Sequence, residues 1–191
     1  MSINKKVMTS QKIKELLLGL LDEAIEMLYE KDYYVIEKRV SERCVCARLA
    51  YHLENLMREK YYTLFHGYNV DVEYDRKGGD PKHIGSMEKR HICDLLIHNR
   101  GFNGPLDNLL ALEMKVHNNN SHIQSDYKRL HDIVQHRNNL NKNLACETML
   151  GVFLRIQTHQ YRITVFDVDV DNGNAGKEKV VKIWPNYEYD V

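Results

Sequence analysis

Apolar residues recur at helical spacing through the first part of the chain. Ile13, Leu16, Leu17, Leu20, Ala24, Met27 and Leu28 fall on one stripe, with Glu15, Glu23 and Glu26 on the other face. A helix is expected over residues 10–31. Residues 31–40 read as a short connection leading to Ser41, an N-cap for a second helix that reaches about Tyr61. Its stripe is Val45, Cys46, Leu49, Leu53 and Leu56, and stepping it backwards lands on Glu42. That carboxylate complements the helix dipole, and it also sits on the face turned toward the core.

From residue 69 the period changes to two. Val70 and Val72 alternate with Asp71 and Glu73, which reads as a strand over 69–74 closed by the Gly-rich, basic loop 76–81. Two aliphatic runs follow, His91–His98 and Asn108–Val116, separated by turn signals at Asn99–Gly101 and Gly104–Pro105. They read as a hairpin. Asn118–Ser121 then introduces a third helix over 121–137, with the stripe Ile123, Tyr127, Leu130 and Val134. Strands are expected at 148–156, 161–168 and 180–184, the last two joined by a turn around Asn172–Gly173 and Gly176. The order is helix, helix, three strands, helix, three strands. That is the α/β class, a mixed β-sheet flanked by helices, with an N-terminal helix and a C-terminal β-hairpin.

Charge intrudes where buried strands should carry none. Asp94 falls in the first run of the hairpin, and Glu113 and Lys115 fall in the second. Alternation puts Glu113 and Lys115 on one face with Leu109 and Ala111, and Leu110, Leu112, Met114 and Val116 on the core face. Burying such groups unpaired costs roughly several kcal/mol, so partners are required. One reading is a structural ion pair, with Lys115 bridging Asp94 and Glu113. The other is a cradle for a divalent cation and a phosphate.

A chain of 191 residues is expected to form one domain, here a helical extension (1–40), a core (41–157) and C-terminal strands (158–191). No apolar run approaches the ~20 residues of a membrane span. The N-terminus lacks the apolar core of a signal peptide, so a cytoplasmic protein is expected. The formal net charge is zero, which argues against a general coating of nucleic acid. Locally the stretch 76–90 is basic, with Arg76, Lys77, Lys82, Lys89 and Arg90 against Asp80 and Glu88, while Lys128, Arg129, Arg137 and three histidines give helix 121–137 a basic side. Arg39, Arg43 and Arg48 either meet phosphate or solvate their helix. The four cysteines, Cys44, Cys46, Cys93 and Cys146, lack zinc-site spacing and read as buried free thiols. No phosphate-loop signature occurs, and no histidine pair has the spacing of a helical zinc site.

The helix with Glu42, a strand, Asp94, Glu113-Met114-Lys115, a helix and a strand together resemble the PD-(D/E)xK nuclease superfamily, the restriction-endonuclease-like enzymes. The resemblance spans about Ser41 to Ile156. More locally, Val40-Ser41-Glu42-Arg43, Val72-Glu73-Tyr74-Asp75-Arg76, Cys93-Asp94 through His98 and Leu112-Glu113-Met114-Lys115 are similar to small bacterial members of that superfamily. It implies a restriction-endonuclease-like sheet and hydrolysis of phosphodiester bonds, with DNA the expected nucleic acid. Asp94 and Glu113 would ligate Mg2+, for which Mn2+ would substitute. Glu42 would ligate it or support its ligands, and Lys115 would orient or deprotonate the attacking water. Cys93 stands where the motif carries proline. Hard oxygen donors suit such an ion independently of the resemblance. Two rival readings stay open: a nuclease-fold binding or interaction module without catalysis, and an unrelated α/β protein with a structural ion cluster. A cysteine hydrolase using Cys93 or Cys146 lacks an adjacent histidine–acid pair. Homodimerisation through the stripe of helix 10–31 is a further expectation.

Overall fold

The structure, a computed structural model, describes residues 9–74, 76–77, 80–81, 92–100, 107–135, 148–167 and 177–182. The expected turns at 101–106 and 172–176, most of the basic loop 76–90, Cys146, Arg137 and Trp184 lie outside the described residues.

Helix α1 (Ser10–Lys31) is capped by the Thr9 side chain, which accepts from the Lys12 amide. Its buried residues include Leu21 and Ile25 beside the expected Leu17, Leu20, Ala24 and Leu28. Ile13, Leu16 and Met27 are only partly buried, so the stripe faces slightly to one side of the expected line. The connection after α1 holds a short helix, α2 (Tyr33–Glu37), which buries Tyr33 and Ile36. Five residues are too few to display a helical period, which hides α2 in the sequence. Helix α3 (Glu42–Phe65) is capped as expected, the Ser41 hydroxyl accepting from the Cys44 amide at 3.3 Å. It runs past the expected end at Tyr61, where the dihedrals leave the helical region (φ −137°, ψ 34°) before the helix resumes.

Strands β1 (Tyr68–Val72), β4 (Leu95–Asn99), β5 (Asn108–Val116), β6 (Thr148–Gln157), β7 (Gln160–Phe166) and β8 (Lys177–Lys182) form one six-stranded sheet in that order. Between β1 and β4, β2 (Arg76–Lys77) and β3 (Asp80–Pro81) pair as a separate two-stranded ladder. Neighbours in the main sheet are antiparallel except β5 and β6, which are parallel. Parallel neighbours need a crossover, and α4 (Ile123–Gln135) supplies it. The mixed sheet and its flanking helices are therefore as expected.

The two faces of the sheet carry two cores. Leu110, Leu112, Met114 and Val116 pack with α1 and α3 residues such as Leu17, Leu28, Leu49 and Leu53. Ala111, Leu96, Phe153 and Phe166 pack beneath Leu130, Ile133 and Val134 of α4. Leu109 departs from the expected alternation. His98 pairs with Asn108 and Ile97 with Leu110, so Leu109 is the extra residue of a bulge and joins the larger core. Most of the apolar stripe of α1 packs inside the chain, with Ile13, Leu16 and Met27 partly buried at its margin. Among the described residues no helix is long and apolar enough to cross a membrane.

Helix α4 comes close to the sheet at Gly151, where an added Cβ would lie 3.2 Å from the Leu130 carbonyl oxygen and from Phe166 Cβ. The nearest atoms are backbone and Cβ, which cannot swing aside. Gly151→Val should therefore destabilise the fold by about 1–3 kcal/mol through overpacking. Urea unfolding checks this, and an unchanged midpoint would show that α4 is not seated there.

Candidate functional site

Strand β5 outruns its neighbour. Leu95, the first residue of β4, pairs with Leu112, so among the described residues Met114 to Val116 have β6 on one side and no strand on the other. Side-chain carboxylates take the vacant positions along that edge. Asp94, in the bend just before β4 and not inside the strand as expected, accepts the Met114 amide through Oδ2 at 2.7 Å. Glu42, in the first turn of α3, accepts the Val116 amide through Oε2 at 3.2 Å. Unpaired strand amides must find acceptors, and here the acceptors are two acids from distant parts of the chain.

Glu113 and Lys115 rise from β5 between that edge and α4. Glu113 is 1% exposed and Lys115 8%. The Lys115 ammonium donates to the Met114 carbonyl at 3.1 Å, lies 3.1 Å from Asp126 Oδ2 of α4, and meets Glu42 Oε1 at 3.4 Å. It does not bridge Asp94 and Glu113 directly, which corrects the simple ion-pair expectation. Glu113 is held instead by Arg129, whose Nε donates to Oε1 at 2.9 Å and whose other arm pairs with Asp126. Sequence reading placed Arg129 on the exposed side of its helix and passed over Asp126. The signal was present for Asp126: it lies three residues after Ile123 and four before Leu130, inside the apolar stripe.

The acids of the open edge reach solvent through a cavity of about 340 Å³ lined by Ser41, Glu42, Arg43, Cys46, Val72, Glu73 and Asp94. Glu73 adopts a positive φ of 53°, pairs with Arg43 at 2.8 Å and donates its amide to the Asp94 carbonyl at 3.1 Å. Cys46 is buried and donates its thiol to the same carbonyl at 3.2 Å. Burial holds that thiol protonated, well above the usual cysteine range. A thiol so placed is a packing group and not a nucleophile. Cys93 is likewise buried, whereas Cys44 is exposed, against expectation.

Electrostatics set the state of the cluster. Burial pushes the Glu113 carboxyl up to about 8, against the pull of Arg129. Burial raises Asp94 as well, and the Met114 amide and Lys115 draw it back only in part. For Lys115, burial alone would lower the ammonium. Its close ion pair with Asp126 and the charges of Glu42 and Asp94 outweigh this and hold it above the ordinary lysine range. With Glu113 protonated, as below about pH 8, Glu42, Asp94 and Asp126 against Lys115 and Arg129 leave one negative charge uncompensated, and ionisation of Glu113 makes it two. That surplus, carried on carboxylate oxygens, fits a hard divalent cation. Among the described residues no three acidic, histidine or cysteine side chains converge on a common point. Glu113 faces Arg129 and would have to turn from it to ligate beside Asp94.

A buried carboxyl with a raised pKa makes the folded state hold a proton that the unfolded state has released. Stability should then fall as pH rises from about 4.5, the ordinary glutamate value, to about 8, and level off above. Glu113→Gln, which keeps an acceptor for Arg129, should flatten that decline. Urea midpoints at acid, neutral and alkaline pH would show it, and equal slopes in both proteins would contradict it. No protein-family model matches the chain, and no curated protein matches it.

Proposed function

We propose that the protein is a metal-dependent nuclease of the restriction-endonuclease-like type, acting on phosphodiester bonds with DNA as the expected substrate. One observation carries the reading. Two carboxylates, Asp94 and Glu42, line the open edge of the strand that presents Glu113 and Lys115, at the mouth of a cavity. The observed order of α3, β1, β4, β5, α4 and β6 supports it, because the resemblance requires that order of elements.

Asp94 and Glu113 would hold Mg2+ or Mn2+, with Glu42 as a third oxygen donor or as the group that keeps Lys115 in place. Bound there, the ion would supply a hydroxide near neutral pH and offset charge on the phosphoryl oxygens. The protein's own groups do the remainder. Lys115, kept cationic by its carboxylate neighbours, serves as a hydrogen-bond donor that orients water and faces the developing negative charge. Its charged state argues against a role as the base. Asp126 fixes where the ammonium points. Arg129 neutralises Glu113 until the carboxylate is needed elsewhere.

The rival is a catalytically inactive module whose ion cluster is structural, and the seating of Glu113 on Arg129 favours it. Labelled single- and double-stranded DNA and RNA, with Mg2+ or Mn2+ and an EDTA control, separate the two. The nuclease reading predicts metal-dependent cutting that Glu113→Ala abolishes and Lys115→Met slows by about 100-fold or more. It also predicts a metal-induced rise in melting temperature, because a ligand of the native state stabilises it. No cutting and no such rise would leave the structural cluster as the account.

A further inference from the structure

Lys115 belongs to a second arrangement on the same face of the sheet. The register pairs Lys115 of β5 with Arg155 of β6, and Arg155 with Arg162 of β7. Directly paired residues point to the same face, and adjacent strands stand about 4.8 Å apart. Three cations therefore rise from a single row about 10 Å long at its Cα atoms. Like charges directly opposite one another destabilise a sheet. Neighbouring rows avoid the conflict. The row of Glu113, Phe153 and Thr164 carries one charge, which Arg129 answers, and the row of Ala111, Gly151 and Phe166 is uncharged. On the other side Gln160 donates to Gln157, which in turn donates to Asn118.

The charges in the row are answered unevenly. Lys115 has Glu42 and Asp126. The guanidinium of Arg155 donates to Asn120 Oδ1 at 2.8 Å, a neutral acceptor, while its buried Nε has no hydrogen bond among the described residues. Arg155 and Arg162 are both half-buried, which fixes their stems and limits the freedom of their heads. A planar, pre-positioned guanidinium matches the oxygens of a phosphate better than it serves a solvated surface.

We propose that Lys115, Arg155 and Arg162 form a track for the phosphodiester backbone of a nucleic-acid strand, leading toward the site at Asp94 and Glu113. The connection to cleavage rests on the nuclease reading, while the track itself rests on the register and on Arg155, which meets only a neutral acceptor among the described residues. Lys115 is the member common to both, so a strand lying on the two arginines delivers its next phosphate to the site. A nucleic acid is favoured over an acidic peptide because its phosphates are regularly spaced and offer the paired oxygens that guanidinium groups recognise.

The test is fluorescence anisotropy with labelled single- and double-stranded DNA and RNA oligonucleotides in EDTA, where no metal-dependent cutting occurs, from about 50 to 200 mM salt. Arg155→Gln and Arg162→Gln should each weaken binding about fivefold and reduce the slope of log K against log salt by about 0.7–0.9. Arg155→Lys should retain the slope, and Arg58→Gln, remote on α3, should bind as the parent does. Arg155→Gln should melt no lower than the parent, since a like-charge pair is relieved. Unchanged affinity and slope in both glutamine variants, absence of binding by the parent, or equal competition by polyglutamate would each overturn the track. The two proposals fail separately. Metal-dependent cutting with Arg155-independent binding removes only the track, and Arg155-dependent binding without cutting removes only the nuclease.

Discussion

A carboxylate and an ammonium two residues apart on a central strand cannot be buried without company. Glu113 and Lys115 impose that demand on β5, and the architecture around them answers it from three directions. Helix α4 brings Asp126 and Arg129, α3 brings Glu42, and the bend before β4 brings Asp94. Breaking such a cluster by removing one partner costs far more than the cluster itself contributes to stability, roughly 3–5 kcal/mol for a buried pair. A purely structural role is therefore an expensive way to fill that space. An apolar residue in place of Lys115 would fill it with less desolvation.

The termination of β4 matters as much as the charges. Had β4 continued, backbone carbonyls would have taken the amides of Met114 and Val116, and no acid would stand at that edge. Because it stops, hydrogen bonding that belongs to a ladder is carried by Asp94 and Glu42, and both are held in place by the backbone they cap. Close packing of α4 at Gly151 then fixes the height of Asp126 and Arg129 above the sheet. The site is thus positioned by a strand edge, a helix start and a crossover helix, all more rigid than loops.

Much of this could be read from the residues alone. Period-3.6 stripes located α1, α3 and α4, and Ser41 marked the start of α3. Alternation along β5 separated Glu113 and Lys115 from the core face. What escaped reading was set by tertiary geometry. The bulge at Leu109 depends on the register with β4, which no local pattern encodes. The place of Asp94 depends on where β4 ends. Arg129 looked like a surface arginine because helix charge is ambiguous until its neighbours are known. The cationic row through Lys115, Arg155 and Arg162 is invisible in sequence, since its members are far apart and meet only through strand pairing.

On the proposed reading, Asp94 and Glu113 hold a divalent cation, and Arg129 yields its place at Glu113 to the ion. Anomalous diffraction from crystals soaked in Mn2+ addresses it most directly. An anomalous peak is expected between Asp94 and Glu113, with the Glu113 carboxylate turned from Arg129 toward the ion. Glu113 still paired with Arg129 and no peak beside Asp94, in crystals that tolerate the soak, would contradict it.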